Sequence, residues 1–260
     1  MPIERSNELN ELGWWSHWAR LSWLSKSCYR LSSREFSEPL FNHAGFLRAK
    51  KTPDELVTLA ESKYLGEGVD PAFFLQRLPK YAHTGNLLLD RGYTITDTFV
   101  VLRLAGAIPK RVSGVTCRVI GTEKLDAWCE TYLRAFYGEL SLLKSVVASV
   151  KRALGEGRTR LVLASVRRKP AGTLAIYRRW GLSGVYCVGT IPEFRERGVA
   201  TALLRRAKEI SDSEGTTTLT LQTFRSDSLE RFYYKRGFEL AYSKDVLVKK
   251  KLGGRVRSTA

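Results

Sequence analysis

The residues whose types and spacing could do chemistry fall between Ser183 and Ile210, in the stretch SGVYCVGTIPEFRERGVATALLRRAKEI. Residues 183–191 form a β-rich apolar run that ends at Pro192. Residues 192–200 are polar and hold one glycine, Gly198. From Thr201 the pattern is helical, with Ala200, Leu203, Leu204 and Ala207 on one stripe. A strand that runs through a tight loop into a helix can hold an anion. The first amides of a helix have no internal acceptor, and the helix dipole is positive at that end. Gly198 has no Cβ to keep a phosphate off the backbone, and Ala200 is small. Arg195 and Arg197 add positive charge. The local expectation is a diphosphate site.

Arg195-Glu196-Arg197-Gly198-Val199-Ala200 resembles the acetyl-CoA loop of the GNAT acetyltransferase superfamily, Arg/Gln-x-x-Gly-x-Gly/Ala after a strand. Pro192 stands where many relatives carry a proline. A second β-rich run, residues 217–224, alternates as a half-buried strand does. Residues 226–236 then read as a short helix, with Asp227 and Glu230 spaced as an N-cap pair and Gly237 at its stop. Tyr233, four residues before Gly237-Phe238, resembles the second hallmark of the family. Ser226 departs from it, standing where many relatives place an asparagine.

The resemblance implies an α/β (α+β) fold with a central mixed, mostly antiparallel sheet flanked by helices. It implies an N-acetyltransferase that moves an acetyl group from acetyl-CoA, its co-substrate, to an amine. In that reading the backbone of Arg195, Glu196, Arg197, Gly198, Val199 and Ala200 cradles the pyrophosphate. Val188, Gly189, Thr190 and Ile191, at the end of the central strand, pair with the pantetheine arm, and Gly189 suits a bulged strand end. Tyr233 is the candidate general acid toward the leaving sulfur. Some relatives carry a glutamate on the central strand, and residues 183–188 offer no carboxylate here. A water, Tyr186, His43 or His83 stay open as the base.

These residues need a scaffold, and 260 residues suit two domains. The expected division is 1–108, 109–250 and a basic tail at 251–260, with a linker at residues 105–112. In 109–250 the order expected is strand 113–120, helices from Thr122 and Leu140, a hairpin at 159–177, the motif segments, and a last strand at 239–248. The first part resembles a worn copy of the second, from Leu88-Leu89-Asp90-Arg91-Gly92-Tyr93 and the strand at 94–104. An unrelated α/β domain is the competing reading. Its basic stretch at 49–54 lacks glycine, and Pro53 removes a donor, so no phosphate loop is expected there. Helices are expected from Pro53, from Asp70-Pro71 with Phe74, Leu75 and Leu78 on one face, and over 84–90. Residues 39–47 read as a strand. Residues 12–25 read as a helix with Trp14, Trp18 and Leu21 on one stripe, packed on its own domain or lying on a membrane surface.

Hydrophobic content of 43% is ample for a core. Four scattered cysteines and three histidines suggest reduced thiols, with no metal site and no disulfide framework. No apolar run approaches the ~20 residues of a spanning helix, and the N-terminus lacks a signal-peptide core, so a soluble cytoplasmic protein is expected. A net charge of +17 favours anionic partners: CoA itself and, through the basic surface and tail, nucleic acid. A nucleic-acid-directed acetyltransferase, suggested by the charge and tail, is the second reading, and a non-catalytic acyl-CoA-binding module, suggested by the missing strand carboxylate, is the third. The acceptor is not legible.

Overall fold

The computed structural model describes residues 2–109 and 113–250. In chain order the elements are α1 (Ile3–Trp15), β1 (Arg20–Ser25), β2 (Cys28–Ser32), β3 (Ala44–Phe46), α2 (Asp54–Gly66), β4 (Ala72–Gln76), α3 (Ala82–Asp90) and β5 (Thr94–Leu104). Then come β6 (Val115–Ile120), α4 (Leu125–Phe136), α5 (Leu143–Gly155), β7 (Thr159–Val166), β8 (Lys169–Arg179) and β9 (Leu182–Thr190). The last four are α6 (Val199–Ser213), β10 (Thr218–Phe224), α7 (Glu230–Tyr234) and β11 (Phe238–Val248).

The described chain forms two compact units. The larger holds the chain up to Trp18, Val100–Thr223 and Asp227–Ala241. Its strands β6, β7, β8 and β9 pair antiparallel in that order, and β9 then pairs parallel with β10. Residues 100–104 of β5 and 238–241 of β11 also belong to it. On one face α6 lays Leu203, Leu204, Ala207 and Ile210 over Leu174, Ile176, Val185, Leu219 and Leu221, all buried. This is the stripe expected from the 3.6-residue period. On the other face the Trp128 indole of α4 donates to the Val162 carbonyl at 3.1 Å.

The smaller unit holds Ala19–Phe99, Phe224–Ser226 and, of the described residues, 242–250. Strands β1, β2 and β3 pair antiparallel, β3 pairs parallel with β4, and β4 pairs antiparallel with β11. Its order of strand, helix α2, parallel strand, helix α3 and strand repeats that of β9, α6, β10, α7 and β11. The first turn of α2 carries Asp54 and Glu55, preceded by Pro53, so this helix start is acidic.

Three expectations meet a different structure. Residues 72–76 are a strand, not a helix. Phe73 and Leu75 pack in one core cluster and Phe74 in another, so the run is buried on both sides and its periodicity is uninformative. The tryptophan stripe is broken, because α1 ends at Trp15 and residues 20–25 are β1. Trp14, Trp15 and Trp18 are buried within the larger unit, so these three pack on their own domain rather than on a membrane surface. Residues up to 18 group with 100–223, whereas the boundary expected at 108 puts them with the first domain. Their indoles pack on Tyr177, Tyr186 and Tyr132 of the larger unit. The four cysteines are free. Among the described residues no helix is long and apolar enough to cross a membrane, and no group of three His, Cys, Asp or Glu could hold a metal.

Candidate active site

The motif residues surround the place where β9 and β10 part. Their parallel register runs from Leu182↔Thr218 to Val185↔Leu221 and stops, while β9 continues to Thr190 and β10 to Phe224. On its other edge β9 stays paired with β8 as far as Thr190↔Gly172. The edge of residues 186–190 that turns toward β10 therefore lies beyond the end of the β9–β10 ladder. A register shift interrupts the β8–β9 ladder here, and Cys187 sits at φ 54°. The Thr173 hydroxyl holds the shift by donating to the Cys187 carbonyl at 3.0 Å.

The sequence suggested Gly189 as the residue of the bulge. In the structure the left-handed position is Cys187. Gly189 serves close packing instead, since a Cβ there would lie 2.5 Å from the Phe136 ring and 2.9 Å from Ala135 of α4. Val188 and Thr190 are half-buried, and Ile191 is buried with its amide donating to the Ala171 carbonyl at 3.0 Å.

Beyond Ile191, residues Pro192–Phe194 make a short 3-10 turn. The Arg195 amide is used there, donating to the Pro192 carbonyl at 3.1 Å, so it is not part of an anion cradle. Glu196 and Gly198 both take positive φ, 63° and 75°, and alternation of this kind turns successive amides toward one side. Gly198 is the N-cap of α6, and among the described residues no side chain caps that helix. The first bond of the helix is Ala202 N–H to the Gly198 carbonyl, leaving the amides of Val199, Ala200 and Thr201 ahead of it. Arg195, Glu196 and Arg197 are exposed, Gly198 and Ala200 half-buried, Val199 buried. The structure thus brings a strand edge and a helix N-terminus to the same end of β9.

Tyr233, on the five-residue α7, is 4% exposed. It shares a core cluster with Val185, Val199 and Leu221, and Val188 packs against that cluster. Burial pushes its phenol above the usual tyrosine range, the Asp227 charge adds to the push, and Arg236 opposes it. The group is therefore a proton donor held in its neutral form. Arg236 ties α7 to α6 by donating to the Thr201 hydroxyl at 2.7 Å. Tyr234 is exposed and donates to Glu230. The expected Asp227 cap is not made: Leu229 is the N-cap, and Asp227 accepts from the Thr223 hydroxyl at 3.2 Å. The Ser226 hydroxyl donates to Asp97.

Of the candidate bases, Tyr186 is disqualified by its surroundings. Its hydroxyl donates to Asn10 Oδ1 at 2.7 Å, and burial, followed by the charges of Glu11 and Glu8, holds its phenol well above the usual range. His43 belongs to the smaller unit, buried and pushed down to about 3 by burial and by the Lys244 charge. His83 is an exposed residue of α3. The side chains missed from the sequence are on α1: Asn7, Glu8, Asn10 and Glu11 are all buried beside β9 and β10. Polar residues at a chain start read as solvated, and only their i, i+3, i+4 spacing hinted at a packed face.

A cavity of about 560 Å³ lies on the α4 side of the loop, lined by Thr131, Arg134, Lys169, Ile191 and Phe194. Neither Tyr233 nor the start of α6 lines it, so it is distinct from the strand split. The tail at 251–260, on which the nucleic-acid reading partly leaned, lies outside the described residues.

Residues 125–238 match the family described as "Acetyltransferase (GNAT) family". No curated protein matches the chain. Among solved structures it is similar to a GCN5-related N-acetyltransferase from Kribbella flavida, with TM-score 0.72, 19% identity and 97% of each chain covered. A GCN5-related N-acetyltransferase from Sphaerobacter thermophilus gives TM-score 0.64 and 14% identity over 88% of this chain and 82% of that one. A tandem GNAT protein from the clavulanic acid biosynthesis pathway gives TM-score 0.58 and 10% identity over 97% of this chain and 98% of that one. At these identities the likeness is one of fold, and it runs through both units.

Proposed function

We propose that this chain transfers an acetyl group from acetyl-CoA to an amine, a reading supported by the match of residues 125–238 to the GNAT acetyltransferase family. One observation carries this reading: the β9–β10 register ends four pairs in, and an uncapped helix with a left-handed Gly198 starts just beyond. The fit to acetyl-CoA is chemical. Strand groups beyond the end of the ladder suit the amides of a pantetheine arm, and amides at a positive helix end suit a diphosphate. Val188, Gly189 and Thr190 would line the arm. The amides of Glu196, Arg197, Gly198, Val199 and Ala200 would meet the diphosphate, with the Arg195 and Arg197 side chains adding charge. Ile191 would form the wall, since its amide is engaged.

Acetyl-CoA supplies an acyl group already activated as a thioester. The protein has to orient it, exclude water and manage two protons. Tyr233, kept neutral by burial, would give its proton to the departing sulfur. No carboxylate on β9 takes the proton of the amine. An acceptor that arrives neutral, or a water, would meet that need.

The test is calorimetric titration with acetyl-CoA, followed by thiol release from acetyl-CoA in the presence of a panel of primary amines. Saturable binding and amine-dependent thiol release are expected. Absence of binding would sink the proposal. Binding without release for any amine would favour a non-catalytic acyl-CoA module.

A further inference from the structure

The β9–β10 ladder ends at Val185↔Leu221, and the next residues are Tyr186 and Gln222. Both are tied to α1. The Tyr186 hydroxyl donates to Asn10 Oδ1 at 2.7 Å. The Gln222 amide donates to Asn7 Oδ1 at 3.3 Å, beside the Thr220 hydroxyl at 2.7 Å. Asn10 is anchored in turn, its Nδ2 donating to the carbonyls of Tyr177 at 3.1 Å and Leu182 at 3.2 Å. Both asparagines are fully buried. Gly184 lets the helix come this close, because a Cβ there would run into Asn10 Oδ1 and the Tyr186 ring.

The buried face of this helix includes Ser6, Asn7, Glu8, Asn10 and Glu11. Such a face gains little from apolar burial, so directional bonds fix its seat, and each one lost leaves a buried group unsatisfied. Two of those bonds, to Tyr186 and Gln222, end on the first residue past the ladder on each strand. A contact at that point holds the separation of the strands where they begin to diverge.

We infer that α1 is a clasp that fixes where β9 and β10 part, with Asn7 and Asn10 as positioning residues for acyl-CoA binding. The inference rests on the proposed use of the split by acetyl-CoA. Freeing Gln222 or Tyr186 lets the strand edges shift, and a ligand held by backbone bonds is sensitive to such a shift.

Acetyl-CoA affinity by calorimetry and Tm by scanning calorimetry are measured on the wild type, Asn7→Ala and Tyr186→Phe. Asn42→Ala is the control, an equally buried asparagine of the smaller unit that donates to the Phe36 carbonyl at 2.6 Å. Asn7→Ala is expected to weaken binding about tenfold and Tyr186→Phe by about threefold or more, while Asn42→Ala lowers Tm and leaves affinity unchanged. If both clasp variants lower Tm and bind acetyl-CoA as the wild type does, α1 is a structural strap and the inference falls, with the proposed function intact. If the wild type binds no acetyl-CoA, the function falls and the clasp with it. Should Asn7→Ala not fold, Tyr186→Phe, which removes one oxygen atom, decides alone.

Discussion

Gly198 is the point at which backbone geometry and ligand chemistry can be separated by a series of substitutions. It sits at φ 75° and ψ 11°, ahead of the amides of Val199, Ala200 and Thr201. An ordinary L-residue in that conformation costs about 1–2 kcal/mol, and asparagine less. For a chain of this size each kcal/mol lowers Tm by about 2–4 °C. Gly198→Ala should therefore lose about 2–8 °C, and Gly198→Asn less than that. Gly198→Trp carries the alanine cost plus an indole beside the amides that a diphosphate would use. A hydrogen bond to a charged group is worth about 1.5–3 kcal/mol, so blocking one or two of them costs about 10- to 10⁴-fold in affinity. The assay is acetyl-CoA calorimetry at two salt concentrations, with Tm recorded for each variant. The expected order of affinity is wild type, Asn, Ala, Trp, with the wild-type affinity falling as salt rises. If folded Gly198→Trp binds within about threefold of the wild type, the start of α6 is not the anion site, whatever the Tm values show.

Tyr233→Phe should leave acetyl-CoA affinity unchanged and lower kcat by about 10²- to 10⁴-fold. Because burial raises that phenol, the acid should stay protonated to above the usual tyrosine range. A basic fall in kcat near pH 7–9 that disappears in Tyr233→Phe would contradict its placement. Gly172→Ala puts a Cβ 2.5 Å from the Gly189 carbonyl and 2.8 Å from Val199, so β9 or α6 must move. A loss of about 1–3 kcal/mol of stability and weaker acetyl-CoA binding are expected, and unchanged values for both would show that this packing is slack. His43 is pushed down to about 3 from 6.5, so its stabilisation is complete above pH 6.5 and is lost as pH falls toward 3. The gap corresponds to about 5 kcal/mol at most. Urea midpoints measured from pH 7 to 4 should decline, and the decline should flatten in His43→Gln.

The loop and its helix were legible because the chemistry is local. Gly198, the arginines and the stripe Leu203, Leu204 and Ala207 lie within thirteen residues, and the amides of a helix start are fixed by the helix itself. Tyr233 and Gly237-Phe238 were legible for the same reason. The strand at 72–76 was not, since an apolar run buried on two sides has no period to read. The bulge was given to Gly189 because glycine is the usual sign of one, yet Cys187 takes the left-handed position while Gly189 makes room for α4.

Short-range pattern in the sequence was enough for a strand, a loop and a helix in that order, a tyrosine four residues before Gly237-Phe238, and a second, weaker copy of the same order. The tertiary structure alone decided that α1 lies on β9 and β10. Asn7 meets Thr220 and Asn10 meets Tyr186 across more than 170 residues, and the polar types involved are those that short-range reasoning assigns to solvent. Which side chains compensate one another's burial is a property of the folded contacts, because a desolvated amide is stable only where its partner already waits.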